Sequence, residues 1–174
     1  RTIMSTKVIT GLETRLSYAN IWEAVSVDGG EPKYSVSVMI PKSDKETLSA
    51  IKKAMQDALE EGKDKFGGEI PNPEKIKLPL RDGDEKKDER YQGYYYLNAS
   101  SKNAPQIVDR NVNPILDRNE VYSGCYARVS LNFYAFNTKG SKGIAVSLGN
   151  IQKVKDGESF SSRTSASDDF SVLD

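Results

Sequence analysis

Apolar and polar positions alternate along most of this chain, and helical spacing interrupts the alternation once. Residues 7–27 and 34–40 carry β-branched and aromatic side chains in period-2 stretches on either side of Asp28-Gly29-Gly30-Glu31-Pro32, a turn signal that predicts a first hairpin. In its second arm Tyr34, Val36, Val38 and Ile40 share one face and Ser35, Ser37 and Met39 the other, so the first set is expected to meet a core. Pro41-Lys42-Ser43 stops that strand, and Ser43 with Glu46 has the spacing of a capping box, which predicts a helix over 44–61. Leu48, Ile51, Met55, Ala58 and Leu59 make its apolar stripe, and Gly62 its stop. Residues 63–88 are rich in Gly, Pro and charge, and predict a long excursion. Strand signal returns at 91–99 and 106–109, and is strongest at 121–137 and 143–154, on either side of a turn at 138–142.

Several strands and one long hairpin predict a mainly β fold, and the single helix between the early and late strands favours a barrel over a sandwich. The expected form is an OB-type five-stranded antiparallel barrel with one packed α-helix and a long inserted excursion. The folded domain is expected to span 4–155. From 156 to 174 the chain turns to Ser, Asp and Gly with little apolar content, the composition of a disordered tail.

Composition narrows the chemistry. Hydrophobic residues are 37% and charged residues 29% of the 174, enough apolar surface for one core. No stretch approaches the roughly 20 apolar residues of a membrane helix, so a cytoplasmic protein without membrane partners is expected. There is no histidine, which removes Ser-His-Asp triads, HExxH zinc sites and Cys-His pairs. The single Cys125 allows no internal disulfide and no cysteine cluster for zinc. Nothing in the sequence calls for a cofactor or a metal.

The 25 basic and 25 acidic residues cancel, but unevenly. The 156–174 tail holds five acids and one base, a charge of −4, so the body before it carries +4. A basic body with an acidic end fits a polyanion-binding surface and a segment able to compete for it.

The chemistry concentrates on two strand faces. In 126–136, Ala127, Val129, Leu131, Phe133 and Ala135 form an apolar side, and Tyr126, Arg128, Ser130, Asn132, Tyr134 and Phe136 the other. Tyr94 and Tyr96 share a face with Asn98 and Ser100. Rings, a guanidinium and hydrogen-bonding groups on one surface suit unpaired bases, each base–ring stack contributing about 1–3 kcal/mol without reading sequence. Lys102, Lys139 and Lys142 lie at the strand ends, where phosphates would be gripped. The competing reading is that these rings cover a second, smaller core.

Two further features have both a functional and a plain reading. Asp82, Asp84 and Asp88 resemble a cation loop, and would serve a Mg²⁺-dependent nuclease, but their spacing departs from the EF-hand pattern and lysines intervene. A structured turn is expected. At the end of the chain Asp168, Asp169, Phe170 and Leu173 form an acidic-apolar peptide suited to docking in a partner protein, or an ordinary frayed terminus.

Leu80-Arg81-Asp82-Gly83-Asp84, Tyr91-Gln92-Gly93-Tyr94-Tyr95-Tyr96-Leu97-Asn98-Ala99-Ser100, Pro105-Gln106-Ile107-Val108-Asp109, the run Gly124 to Asn137, Lys142-Gly143-Ile144 and Leu148-Gly149-Asn150-Ile151-Gln152 together resemble the phage-encoded single-stranded-DNA-binding proteins long catalogued as a domain of unknown function. The resemblance runs over about residues 7–157. It implies an OB-type barrel with insertions, coating and protection of single strands during phage replication or recombination in a bacterial cell, no catalytic activity, and an acidic tip that recruits replication or recombination proteins. The tip lacks the proline-phenylalanine ending of the bacterial version. The alternative is a phage structural or adaptor module whose aromatic face meets protein. The sequence leaves open the oligomeric state, a homo-oligomer included, and the choice between DNA and RNA.

Overall fold

The computed structural model describes residues 5–26, 29–160 and 169–173. Eight strands and one long helix are laid out as β1 (Lys7–Ile9), β2 (Arg15–Val25), β3 (Lys33–Pro41), α1 (Lys45–Glu61), β4 (Arg81–Asp82), β5 (Tyr94–Ser101), β6 (Ile107–Val108), β7 (Tyr126–Thr138) and β8 (Ser141–Lys155). Neighbouring strands run in the order β7-β2-β3-β5-β8, and β8 pairs again with β7, so five strands close a ring. β1 lies on the outer edge of β7, β6 on β8, and β4 on β5.

The ring departs from the expected antiparallel barrel in two ways. The β5–β8 pairing is parallel and rests on one residue pair, Ser100 with Ser147, and the β2–β7 seam rests on Arg15 with Tyr126 alone. The other ring pairings, β2–β3, β3–β5 and β7–β8, are antiparallel. Parallel pairing follows from chain direction: β3 leads antiparallel to β5, and the long β7–β8 hairpin brings β8 back alongside it. The segment read as one strand over 7–27 is two, because Thr10 to Thr14 turn the chain between a short strand on β7 and a long one on β3.

Alternation fixes what faces inward. Leu16, Val36, Val38, Ile40, Leu97, Leu131, Phe133, Val146 and Leu148 fill the core, as expected of one face of a pleated strand. α1 packs on β1 and β7, burying Leu48, Ile51, Ala54, Ala58 and Leu59, with Met55 half-buried at its margin. Its N-cap is Asp44, not the Ser43 of the expected box: the Asp44 carboxylate accepts from the Thr47 backbone N–H at 3.1 Å and the Thr47 hydroxyl at 2.7 Å. Aspartate fills that role as well as serine does.

The hairpin turn is tighter than the five residues expected. Thr138 pairs with Ser141, leaving Lys139 and Gly140 at φ 50° and 84°, the type I′ geometry that matches strand twist.

Candidate nucleic-acid interface

Strand register sets the outer face in rows. Arg15 of β2 lies opposite Met39 of β3, Met39 opposite Tyr96 of β5, and Tyr96 opposite Arg81 of β4, while Arg15 meets Tyr126 of β7 across the seam. One continuous row therefore reads Tyr126, Arg15, Met39, Tyr96, Arg81. The next rows carry Ser17, Ser37 and Asn98, then Ser35, Ser100, Ser147 and Asn132. The face is thus cationic and aromatic at one end, and lined with small hydrogen-bonding groups at the other.

Part of this face is roofed, as the reading of a second, smaller core expects for some of the rings. The excursion lays Tyr91 over β3; Tyr91, Met39 and Ser37 are buried, and the Tyr91 hydroxyl donates to Ser37 Oγ at 3.4 Å. Tyr96 packs against this roof and stays partly open. Above them the Lys86 ammonium stands 4.5 Å from the Tyr91 ring, 5.1 Å from Tyr96 and 5.3 Å from Tyr18. Such contacts attract a cation to the ring face.

Two cavities continue the surface, with Arg81 as their shared wall. One, of about 530 Å³, is lined by Leu78, Leu80, Arg81, Asp82, Glu85, Lys86 and Tyr96. The other, of about 210 Å³, joins Arg81 and Lys77 to Asn98, Ser100, Tyr134 and Phe136. Tyr134 is 42% exposed.

The expected site residues are only partly brought together. Tyr96, Tyr134 and Phe136 share this surface, and Asn132 lies exposed one step further along β7. Lys139 and Lys142 are exposed at the β7–β8 hairpin, and Lys102 pairs with Glu31 at 3.1 Å. Tyr94 lies two residues along β5 from Tyr96, opposite Pro41, where burial, with Tyr126 beside it, pushes its phenol above the usual range. Arg128 has the predicted facing but lies six residues, about 20 Å of strand, from Tyr134. Its Nε donates to the Thr10 carbonyl at 3.0 Å, and its cavity is a different one, shared with Lys7, Ile9 and Val112. Tyr126 is flanked by the Arg15 guanidinium at 4.9 Å and the Lys155 ammonium at 4.7 Å. Asp168 lies outside the described residues; Asp169, Phe170 and Leu173 are exposed.

Five residues of the surface escaped sequence reasoning: Arg15, Tyr18, Lys77, Arg81 and Lys86. Arg15 alone had a legible signal, since it alternates with the buried Leu16. The aspartates of the excursion, by contrast, are employed in its packing. Asp82 and Asp84 converge on Lys42 at 2.7 and 2.6 Å, and Asp88 pairs with Arg90 at 2.9 Å. Hydrogen bonds from Lys42 hold the Asp82 and Asp84 carboxyls below the usual carboxylate range. Among the described residues no acidic group is arranged to hold a metal ion, and no helix is long and apolar enough to cross a membrane.

A closed five-stranded ring with an open polar-aromatic outer face belongs to the class of OB-type single-strand-binding folds. The chain belongs to the family described as Enterobacter phage Enc34, ssDNA-binding protein, whose model matches residues 6–174. That is a family of DNA-binding proteins, not of enzymes. The chain is 34% identical over 157 residues to putative protein p50 of Acyrthosiphon pisum secondary endosymbiont phage 1, covering 84% of this chain and 82% of that one. Its fold matches the single-stranded DNA-binding protein from bacteriophage Enc34 in complex with ssDNA, with TM-score 0.77, 21% identity and coverage of 92% and 96%. It also matches gp2.5, a single-stranded DNA-binding protein encoded by bacteriophage T7, with TM-score 0.60, 16% identity and coverage of 94% and 91%.

Proposed function

We propose that this protein binds single-stranded DNA without sequence preference, coats and protects it during phage replication and recombination, and uses its acidic C-terminal segment to recruit partner proteins. The observation that carries the reading is the run of Lys86, Tyr96, Arg81, Asn98 and Tyr134 along one outer face. In OB-type rings the second and third strands and the loops joining strands one to two and four to five receive oligonucleotides. Counting around this ring, those strands are β3 and β5, and the fourth-to-fifth connection is the Lys139–Gly140 turn. Rings accept any base by its π-face, and Arg81, Lys77, Lys86 and Lys142 supply phosphate partners. Serines and asparagines of the outer rows give hydrogen bonds that are not tied to one base.

A gel-shift series with single- and double-stranded oligonucleotides across salt concentrations tests this. Preferential binding to single strands is expected, with log K falling linearly in log salt by about 0.7 per neutralised phosphate. Salt-independent binding, or equal binding to duplex, would count against it. The adaptor alternative predicts no shift with either.

A further inference from the structure

Beyond the end of β8 the chain does not leave the ring at once. The Gly157 N–H donates to the Tyr122 hydroxyl at 3.2 Å, and the Phe160 N–H donates to the Ser123 carbonyl at 2.9 Å. These bonds deliver the Phe160 ring into a slot between two guanidinium groups. Its centroid lies 4.6 Å from Arg15 Cζ and 5.0 Å from Arg90 Cζ.

Both walls of the slot have supports of their own. Arg15 Nε and Nη2 donate to the Gly124 carbonyl at 3.1 and 2.9 Å. Arg90 Nε and Nη2 donate to the two Asp88 carboxylate oxygens at 3.0 and 2.9 Å. Each guanidinium also reaches the strap itself, Arg15 through the Glu158 carbonyl at 3.1 Å and Arg90 through the Phe160 carbonyl at 2.9 Å. If the strap leaves, those two bonds are released and the other four remain, so the slot keeps its walls and gains two free cationic donors. A flat ring between two guanidinium faces, with spare donors beside it, is the chemistry of a nucleobase with its phosphate. Arg15 also belongs to the register row that ends in Tyr96 and Arg81, with the buried Met39 between them.

We propose that the space between Arg15 and Arg90 is a nucleobase seat of the single-strand path, and that Phe160 occupies it in the free protein in place of a base. This rests on the DNA-binding reading above. It differs from charge competition by the acidic tip, because it is an aromatic exchange at a defined slot: DNA reaching the seat must expel Phe160.

The test uses the full chain in two ways. In Phe160→Ala the seat is vacant, and affinity for a long thymidine oligonucleotide should rise about five- to thirtyfold, the range set by two ring–guanidinium contacts. Adding Arg90→Gln to that variant should abolish the gain. In the otherwise intact chain labelled with 4-fluorophenylalanine, the fluorine resonance of Phe160, assigned by its absence from the Phe160→Ala variant, should move to a solvent-exposed position as DNA saturates the protein. Equal affinity of Phe160→Ala and the intact chain, or a Phe160 resonance unmoved at saturation, overturns the seat while leaving DNA binding intact. Failure of both proteins to bind any single strand overturns the DNA reading and the seat with it.

Discussion

Tyr96 packs edge-on against Tyr91, their ring centroids 5.0 Å apart and their planes at 79°. Tyr91 is fully buried, so it serves as a fixed backing for a neighbour that stays partly open. Edge-to-face pairs of this kind contribute about 0.5–1.5 kcal/mol beyond the area they cover. Little rotamer freedom then remains for Tyr96 to lose when a base stacks on it, and ordering costs of that kind otherwise subtract from affinity.

Tyr18 separates binding from stability. It is 60% exposed and sits at φ 45°, a left-handed conformation that glycine adopts freely and tyrosine does not. Tyr18→Gly should therefore hold or raise the thermal midpoint while weakening single-strand affinity by about 1–3 kcal/mol on every sequence tested. Parallel melting curves and fluorescence titrations would check this; unchanged affinity would remove Tyr18 from the path.

The excursion that carries Lys86 and Arg81 is pinned by Lys42 between Asp82 and Asp84. Asp84 also accepts from the Gly93 N–H at 2.8 Å, ahead of β5. Lys42 holds both carboxyls below their usual range. A depressed carboxylate pKa gives stability that is present above the unfolded value, near 3.9, and lost as pH falls through the folded value. The thermal midpoint should accordingly fall as pH is taken from about 4 downward, and Asp84→Asn should flatten part of that fall while lowering the midpoint at neutral pH. Thermal melts of both proteins from neutral to acid pH would check it; identical profiles would show that the pin is idle.

Phe133 lies in the core on the inward face of β7, 1% exposed, one residue from Tyr134 on the outward face. Phe133→Ala should cost about 3–5 kcal/mol of stability. Chemical denaturation measures that loss. At temperatures where the variant stays folded, its affinity for single strands should match the parent, since the outer surface is untouched; a large affinity loss there would place binding on the wrong face.

Much of this architecture was legible because it depends on local periodicity. The inward run of β7, the stripe of α1, the core face of β3 and the β7–β8 hairpin follow from spacings of two, three and four, and burial enforces them. The composition of the outer surface was less legible. Tyr18 turns outward at an irregularity in β2, where register with β3 shifts between Ser17 and Asn20, and no residue type there announces a bulge. Lys86 and Arg81 come from the excursion and reach the face only through the pairing of β4 with β5, a long-range contact that alternation cannot predict. Arg128 shows the converse: the alternation was right, but strand length carried it to another cavity.

The most direct test of the account is photocrosslinking of the intact protein to single strands containing 5-iododeoxyuridine, with the attached residues read by mass spectrometry. Crosslinks at Tyr18, Tyr96 and Tyr134 are predicted, whichever position in the strand carries the label. Crosslinks confined to α1 or to the Arg128 cavity, with none at Tyr18, Tyr96 or Tyr134, would contradict it.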